Sequence, residues 1–174
     1  MKWAEGPTGQ HIELGISEMN LFLLLGQLGL SWDLARQPLL PIGTVYDPFV
    51  LRGLDAFIYS VYSGARFVVA GTPSGVTLAP EGGAHQSVIT PLIGLSHDGI
   101  ADFEPAFADE LSVIMDWGFE HMQAEDGGSV YLRLSTRTLD QPRRKMDSGL
   151  RDNIIAGAYW LPEPAPGAEL ALDF

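Results

Sequence analysis

Short apolar runs alternate with helix-length segments along most of this 174-residue chain. A strand that is buried on both faces is apolar throughout, whereas a helix that covers a sheet repeats its apolar residues every three to four positions. Because parallel strands need crossover connections, the alternation predicts an α/β fold. Its three layers are helices, a mostly parallel sheet, and helices again. The length suits one compact domain of this kind.

Five segments have the composition of short strands. They are residues 11–16, 38–45, 66–71, 100–103 and 130–134. A helix is predicted from Glu18 onward, with Ser17 as its cap. A second helix is predicted after Asp47 and Pro48, a pair typical of an N-cap followed by proline at the first helical position. A third is predicted over residues 105–123.

The helix that begins at Glu18 is apolar nearly all round, which predicts that it is buried. Gly26 and Gly29 share one of its faces and would allow another element to approach closely.

The charge of the chain narrows the classes of partner. Twenty-two acidic residues against ten Lys and Arg give a formal net charge of -12, and the resulting field repels nucleic acid and anionic membranes. No apolar run reaches the ~18 residues of a membrane span, and the N-terminus lacks the apolar core of a secretory signal. Since the chain has no cysteine, disulfides, thiolate nucleophiles and cysteine metal sites are excluded. The cytoplasm is the simplest compartment.

Ligands of parallel sheets bind at the carboxyl ends of strands. This rule selects three places, which are Glu18, residues 46–52 and the loop that ends at His85. Glu18 lies in the first turn of a helix, where the helix dipole alone explains a carboxylate, and a catalytic role is the alternative. His85 follows two glycines that permit a tight turn near a ligand, although it could equally brace the loop.

Two aromatic residues and an arginine surround the Asp47-Pro48 turn. Tyr46 and Phe49 either belong to the core or form a stacking platform for a flat heterocycle. Arg52 either contacts a phosphate or carboxylate ligand, or pairs with Asp55 or Asp47. The other histidines, at positions 11, 97 and 121, are expected at the surface or at a strand edge, and no nucleotide or metal motif is present.

Three motifs follow predicted strand ends, namely Gly15-Ile-Ser-Glu18-Met-Asn20, Gly71-Thr-Pro-Ser-Gly75 and Glu81-Gly-Gly-Ala-His85-Gln86. Together they resemble the pyrimidine-binding domain of transketolase-like thiamine diphosphate enzymes. Three further segments are most similar to the homodimeric pyruvate dehydrogenase decarboxylating component: Tyr46-Asp-Pro-Phe49, Phe103-Glu-Pro-Ala-Phe107 and residues 112–122. The likeness runs from about residue 8 to the end.

This resemblance implies a role for each candidate residue. Glu18 would be the glutamate that hydrogen-bonds N1′ of the cofactor's aminopyrimidine ring, and His85 would contact the substrate or intermediate. Tyr46 and Phe49 would pack around the pyrimidine, with Arg52 near the site. The implied activity is that of an oxidoreductase of the acetyl-transferring pyruvate dehydrogenase type, which decarboxylates pyruvate oxidatively and passes the acetyl group to a lipoyl group.

The resemblance also implies a larger assembly. The cofactors would be thiamine diphosphate and Mg²⁺, with the metal held by a diphosphate-binding domain or subunit that this chain does not contain. Further partners would be a homodimer partner and a lipoyl-bearing acyltransferase, and the chain alone is expected to be inactive. Residues 1–142 would form the pyrimidine-binding domain without the family's N-terminal helix and strand. Residues 143–174 would be a linker and the start of the next domain. Within them the sequence predicts a helix at 149–160, an extended proline linker at 162–166 and the beginning of a strand at 168–174.

Two other functions stay open. Ketol transfer, as in transketolase or deoxyxylulose-phosphate synthase, uses a similar glutamate and histidine loop, although the sequence shows no extra Arg and His cluster for a sugar phosphate. A non-catalytic assembly module with the same fold is the alternative of another class, because fold does not determine function.

Overall fold

Four parallel strands form the sheet of this computed structural model, which describes residues 4, 6–161 and 167. The strands are β1 (Ile42–Val45), β2 (Val68–Gly71), β3 (Ile100–Phe103) and β4 (Ser129–Arg133). Their spatial order is β1-β2-β4-β3, so β2 and β4 are central. The proline linker and the strand predicted at residues 162–166 and 168–174 lie outside the described residues.

Helices cover both faces of the sheet. They are α1 (Glu18–Gly29), α2 (Ser31–Ala35), α3 (Leu54–Tyr62), α4 (Pro91–Ser96), α5 (Ala108–Gln123) and α6 (Ser148–Ala156). The connections β1–α3–β2 and β2–α4–β3 run in one direction across the sheet, and the connection β3–α5–β4 runs in the opposite direction. Right-handed crossovers therefore place α5 on the opposite face. The predicted three-layer α/β fold with a parallel sheet is confirmed.

The two central strands supply both halves of the core. Phe67 and Val69 pack in one apolar cluster with α1, α3 and α4. Val68, between them in sequence, packs in the second cluster with α5 and α6. Successive side chains of a strand point to opposite faces, so a strand covered on both sides has to be apolar at every position. This requirement explains why the run at residues 66–71 is recognisable in the sequence.

The prediction of a strand at residues 11–16 is wrong. This segment has no regular structure, and Ile16 is 87% exposed. Gly15 adopts a φ of 62°, a left-handed conformation that interrupts an extended strand. Since the segment does not pair with the sheet, β1 is one edge strand of the described residues.

Two expectations about α1 are also corrected. The Ser17 hydroxyl does not cap the helix but accepts a hydrogen bond of 2.8 Å from Asn20 Nδ2. The helix is not buried all round, because Leu23 is 53% exposed and Met19 is 41% exposed. One face of α1, with Phe22 and Leu25, covers the sheet, and the opposite face lies outside the core.

The predicted close approach at Gly26 and Gly29 is confirmed. A Cβ at Gly26 would collide with the Ser60 hydroxyl of α3, which itself donates to the Ala56 carbonyl at 2.7 Å. A Cβ at Gly29 would lie 2.7 Å from the backbone nitrogen of Arg66. Both glycines are therefore required by packing rather than by backbone conformation.

We expect Gly29→Ala to lower the free energy of unfolding by about 1–3 kcal/mol, because backbone atoms cannot move aside and the clash outweighs the gain in helix propensity. Gly118 in α5 is the matched control. A Cβ there would meet Val130 at an ordinary 3.4 Å, so Gly118→Ala should be neutral or stabilise by up to ~1 kcal/mol. Urea unfolding of both variants measures the difference, and equal effects would contradict this account of the packing.

His121 is partly buried near the end of α5 rather than at the surface. Its ring stacks on Trp117 at 4.6 Å between centroids, and its Nε2 accepts a hydrogen bond of 3.1 Å from the Gly128 N–H. Burial lowers the pKa of His121 from its ordinary value of 6.5; the Arg66 charge acts in the same direction and Asp126 opposes it. The folded chain therefore favours the neutral ring.

A histidine whose pKa is lower in the folded state stabilises the fold above its unfolded pKa. That contribution is lost as the pH falls through 6.5 toward the lowered folded value. We expect the free energy of unfolding to decrease between about pH 7.5 and pH 5.5. In His121→Gln, an amide oxygen can accept from Gly128 without titrating, so the decrease should be smaller. Parallel curves for the two proteins would show that His121 does not contribute.

Candidate active site

The turn after β1 carries the two predicted aromatic residues. The chain leaves β1 at Tyr46 and enters a 3₁₀ helix, Asp47–Gly53, that leads into α3. The Phe49 N–H donates to the Tyr46 carbonyl at 2.7 Å, and the two rings meet edge to face with centroids 4.8 Å apart. Both side chains are partly buried, so one side of the pair stays accessible.

The loop after β2 brings His85 against this pair. Its ring centroid lies 5.9 Å from that of Tyr46 and 5.7 Å from that of Phe49. The loop consists largely of two 3₁₀ helices, Gly75–Glu81 and Gly83–His85. Because β1 and β2 are parallel neighbours, the segments that follow their carboxyl ends meet at the same edge of the sheet.

Glu81 is a site residue to which the sequence assigned no role of its own. Its carboxylate accepts a hydrogen bond of 2.5 Å from the Tyr46 hydroxyl and lies 3.9 Å from Nδ1 of His85. Removal from solvent, together with the hydrogen bond to Glu81, raises the pKa of Tyr46 to about 12. The phenol therefore remains the proton donor at neutral pH. The signal for Glu81 is its place four residues before His85 in the same motif.

Glu18 and Arg52 form the other side of the site. Nη1 of Arg52 lies 3.6 Å from Oε1 of Glu18, whose side chain is 13% exposed. The guanidinium carbon of Arg52 also lies 3.5 Å from the ring centroid of Phe49, a cation–π contact. The pairing of Arg52 with Asp55 or Asp47 that the sequence left open is not observed.

A cavity of about 1000 Å³ lies between residues 9–17, α1 and β1. Glu18, Tyr46 and Phe49 are on its wall, together with apolar side chains that include Leu21, Leu25, Leu39 and Ile42. A cavity with apolar walls and a few convergent polar groups is typical of a small-molecule site. All five predicted residues therefore lie in one connected cluster, and three of them line this cavity.

The Asp-Pro pair predicted that Asp47 caps a helix, and this prediction is wrong, because Asp47 is the first residue of the 3₁₀ helix and its side chain makes no cap hydrogen bond. Its side chain is fully buried, and its carboxylate accepts hydrogen bonds from Ser74 Oγ at 3.0 Å, Thr90 Oγ1 at 2.7 Å and the Tyr131 hydroxyl. Burial, with the adjacent Asp47 charge, raises the pKa of Tyr131, so the phenol remains a donor. Long-range donors thus replace the backbone N–H groups of a cap.

Among residues 4, 6–161 and 167, no group of three His, Asp or Glu side chains is placed to hold a metal ion. Within the same residues, no helix has both the length and the apolar content that a membrane span requires.

Fold and site together define the class of protein: a parallel α/β protein with a carboxylate, an aromatic pair and a histidine at the carboxyl end of its sheet. No family profile matches the chain. It is similar to curated proteins named pyruvate dehydrogenase E1 component. Identity is 26% over 165 residues for Pseudomonas aeruginosa, 25% over 161 for Escherichia coli and 27% over 172 for Mycolicibacterium smegmatis.

These alignments cover 94%, 91% and 95% of this chain, and 19%, 18% and 18% of the relatives. The chain therefore spans about a fifth of the length of the curated relatives it matches. The predicted resemblance to the pyruvate dehydrogenase decarboxylating component is confirmed along nearly the whole chain.

Replacing each of two tyrosines by phenylalanine compares the stability contribution of a buried hydrogen bond with that of an accessible one. Tyr131→Phe leaves the buried Asp47 carboxylate short of a donor, and we expect a loss of about 1–3 kcal/mol in the free energy of unfolding. Tyr46→Phe should cost less, because water can replace the phenol at the half-exposed Glu81. Urea unfolding measures both, and the reverse order would contradict the assigned hydrogen bonds.

Proposed function

We propose that this chain is the pyrimidine-binding domain of a thiamine diphosphate-dependent pyruvate dehydrogenase decarboxylating component. Its reaction would be the oxidative decarboxylation of pyruvate with transfer of the acetyl group to a lipoyl group. The observation that carries the proposal is the convergence of Glu18, Tyr46, Phe49 and His85 at one edge of the sheet. The similarity to curated relatives of that name supports it.

The residues present fit the aminopyrimidine part of that cofactor. A flat heterocycle needs a hydrogen-bonding group at its edge and apolar contacts on its faces. Glu18 offers a largely buried carboxyl on the cavity wall, and Tyr46 and Phe49 offer ring surfaces beside it. The diphosphate and its Mg²⁺ would be held by a separate domain or subunit.

Thiamine diphosphate, when bound, supplies a carbanion equivalent at its thiazolium ring for attack on the 2-oxo carbon of pyruvate. The contribution of this chain is to hold and move protons around it. The Glu18 carboxyl would hold a proton against a ring nitrogen of the pyrimidine. Arg52, which contacts that carboxyl in the free chain, would give way to the ring edge.

His85 would contact the substrate or intermediate, where an imidazole can stabilise developing charge or transfer a proton. Its support is visible in the free chain. The Tyr46 hydroxyl holds Glu81, and Glu81 lies beside Nδ1 of His85. A carboxylate at that nitrogen orients the ring and leaves Nε2 to face a ligand.

In the proposed assembly, residues 1–142 form the pyrimidine-binding domain and residues 143–174 lead toward a further domain. The partners would be the diphosphate-binding part, a second copy in a homodimer, and a lipoyl-bearing acyltransferase. Turnover would require that assembly, so the chain alone would be inactive.

Calorimetry tests the half-site directly. Thiamine diphosphate with Mg²⁺ is titrated into the chain, first alone and then together with a diphosphate-binding portion from a relative. We expect binding heat only in the mixture. Binding by the chain alone, or by neither sample, would contradict the division of the cofactor between two parts.

In the assembled enzyme, we expect Glu18→Gln to lower the rate of pyruvate decarboxylation by about 10²-fold or more, because the carboxyl can no longer transfer a proton. Glu120→Gln, an exposed position on α5, is the matched control and should retain the full rate. A full rate in Glu18→Gln would favour a non-catalytic assembly module. Activity with xylulose 5-phosphate rather than pyruvate would favour ketol transfer.

A further inference from the structure

The buried carboxylate of Asp47 contacts the two ends of one loop. Its Oδ2 accepts from Ser74 Oγ at 3.0 Å and from Thr90 Oγ1 at 2.7 Å. Ser74 directly precedes the 3₁₀ helix Gly75–Glu81, and Thr90 directly precedes α4. A single oxygen atom therefore joins the beginning and the end of the segment that carries Glu81 and His85.

The other oxygen fixes the carboxylate itself. Oδ1 of Asp47 accepts from the hydroxyl of Tyr131, a fully buried residue of the central strand β4. Because all three donors are buried, none of these contacts competes with water at the surface. The carboxylate is thus anchored to the centre of the sheet, and the loop is anchored to the carboxylate.

Asp47 also lies between the two aromatic residues of the site. Tyr46 precedes it and Phe49 follows two residues later, in the same 3₁₀ turn. One residue therefore connects both halves of the cluster, the aromatic turn after β1 and the histidine loop after β2.

In the middle of the loop, the hydrogen bond from the Tyr46 hydroxyl to Glu81 is the main polar anchor. Residues 79–83 are exposed, and Leu78 supplies one fully buried side chain. At the start of the loop, the Ser74 N–H also donates to the Leu134 carbonyl at 2.9 Å. Hydrogen bonds to Asp47 are thus the contacts that act at both ends of the segment.

We propose that Asp47 is a positioning residue that holds the loop of residues 74–90 closed and thereby sets His85 against Tyr46 and Phe49. Its meaning for catalysis rests on the proposed function. The anchoring does not, because it involves only side chains of this chain and can be measured without any ligand.

Asp47→Ala is the direct test, because it removes both acceptor oxygens. An asparagine would not serve, since one amide oxygen has two lone pairs and could still accept from both Ser74 and Thr90, which donate to the same oxygen of Asp47. In hydrogen–deuterium exchange of the whole chain, the measured quantity is the exchange rate of the amides of residues 75–89 divided by that of the amides of β2 and β4. We expect this ratio to be at least about tenfold higher in the variant than in the unmodified chain.

A double variant guards against general destabilisation. Ser74→Ala with Thr90→Val releases the loop but leaves the contact between Asp47 and Tyr131, and it should reproduce the faster loop exchange. Glu110→Gln is the matched control. Glu110 is another buried carboxylate with several donors, including the Ala106 N–H at 2.9 Å and Arg144 at 2.8 Å. The Glu110→Gln variant should leave the exchange of the loop, relative to that of the strands, unchanged.

The ring protons of His85 give a second readout. In the unmodified chain the rings of Tyr46 and Phe49, with centroids 5.9 and 5.7 Å away, should shift the NMR resonances of these protons. In both loop variants we expect the resonances to move toward the values of an exposed histidine. The proposal is overturned if loop exchange rises no more than exchange in the strands, or if the His85 resonances do not move. Glu18→Gln should leave both readouts unchanged, so failure of the proposed function and failure of the anchoring are distinguishable.

Discussion

A charged side chain in the apolar interior is stable only when its hydrogen bonds are complete, and Asp47 imposes this requirement on the described chain. An unpaired buried carboxylate costs several kcal/mol, which is a large part of the ~5–15 kcal/mol that stabilises a domain. Its donors lie 27, 43 and 84 residues further along the chain. The carboxylate is therefore satisfied only when the loop after β2, the start of α4 and the centre of β4 are all in place. The hydrogen bonds that complete this part of the fold therefore also position the loop that carries His85.

Much of the architecture follows from local patterns in the sequence. The strands at 66–71, 100–103 and 130–134 and the helix at 105–123 are found because neighbours cover them and restrict their composition. The segment at 11–16 has a similar composition but no pairing partner, and pairing is a long-range property that a local pattern does not contain. The exposed outer face of α1 has the same origin, since apolar content predicts a tendency toward burial but does not supply an element to pack against.

The proximity of the five candidate residues was predictable from the sequence only in part: Glu81 was assigned no role of its own, and Glu18 was selected from a strand at 11–16 that the structure lacks. Parallel strands bring the residues after their carboxyl ends together, so Tyr46, Phe49 and His85 follow from the strand assignments. The contact between Arg52 and Glu18 joins residues that are far apart in sequence, and no local rule selects it over Asp55. Asp47 is the clearest case. An aspartate before proline is typical of a helix N-cap. The hydroxyl groups that bind Asp47 instead come from distant parts of the chain, so a local pattern cannot predict that its side chain is buried.

The guanidinium of Arg52 over the face of Phe49 changes how affinity at this aromatic surface should be understood. Under the proposed function, a planar ligand that stacks there would replace this cation–π contact instead of covering a bare ring. Its net binding energy would therefore be the difference between its own stacking energy and that of the contact it displaces. A ligand whose edge also hydrogen-bonds to Glu18 would compensate for the ion pair that Arg52 gives up. Arg52 would thus favour polar heterocycles over purely apolar rings.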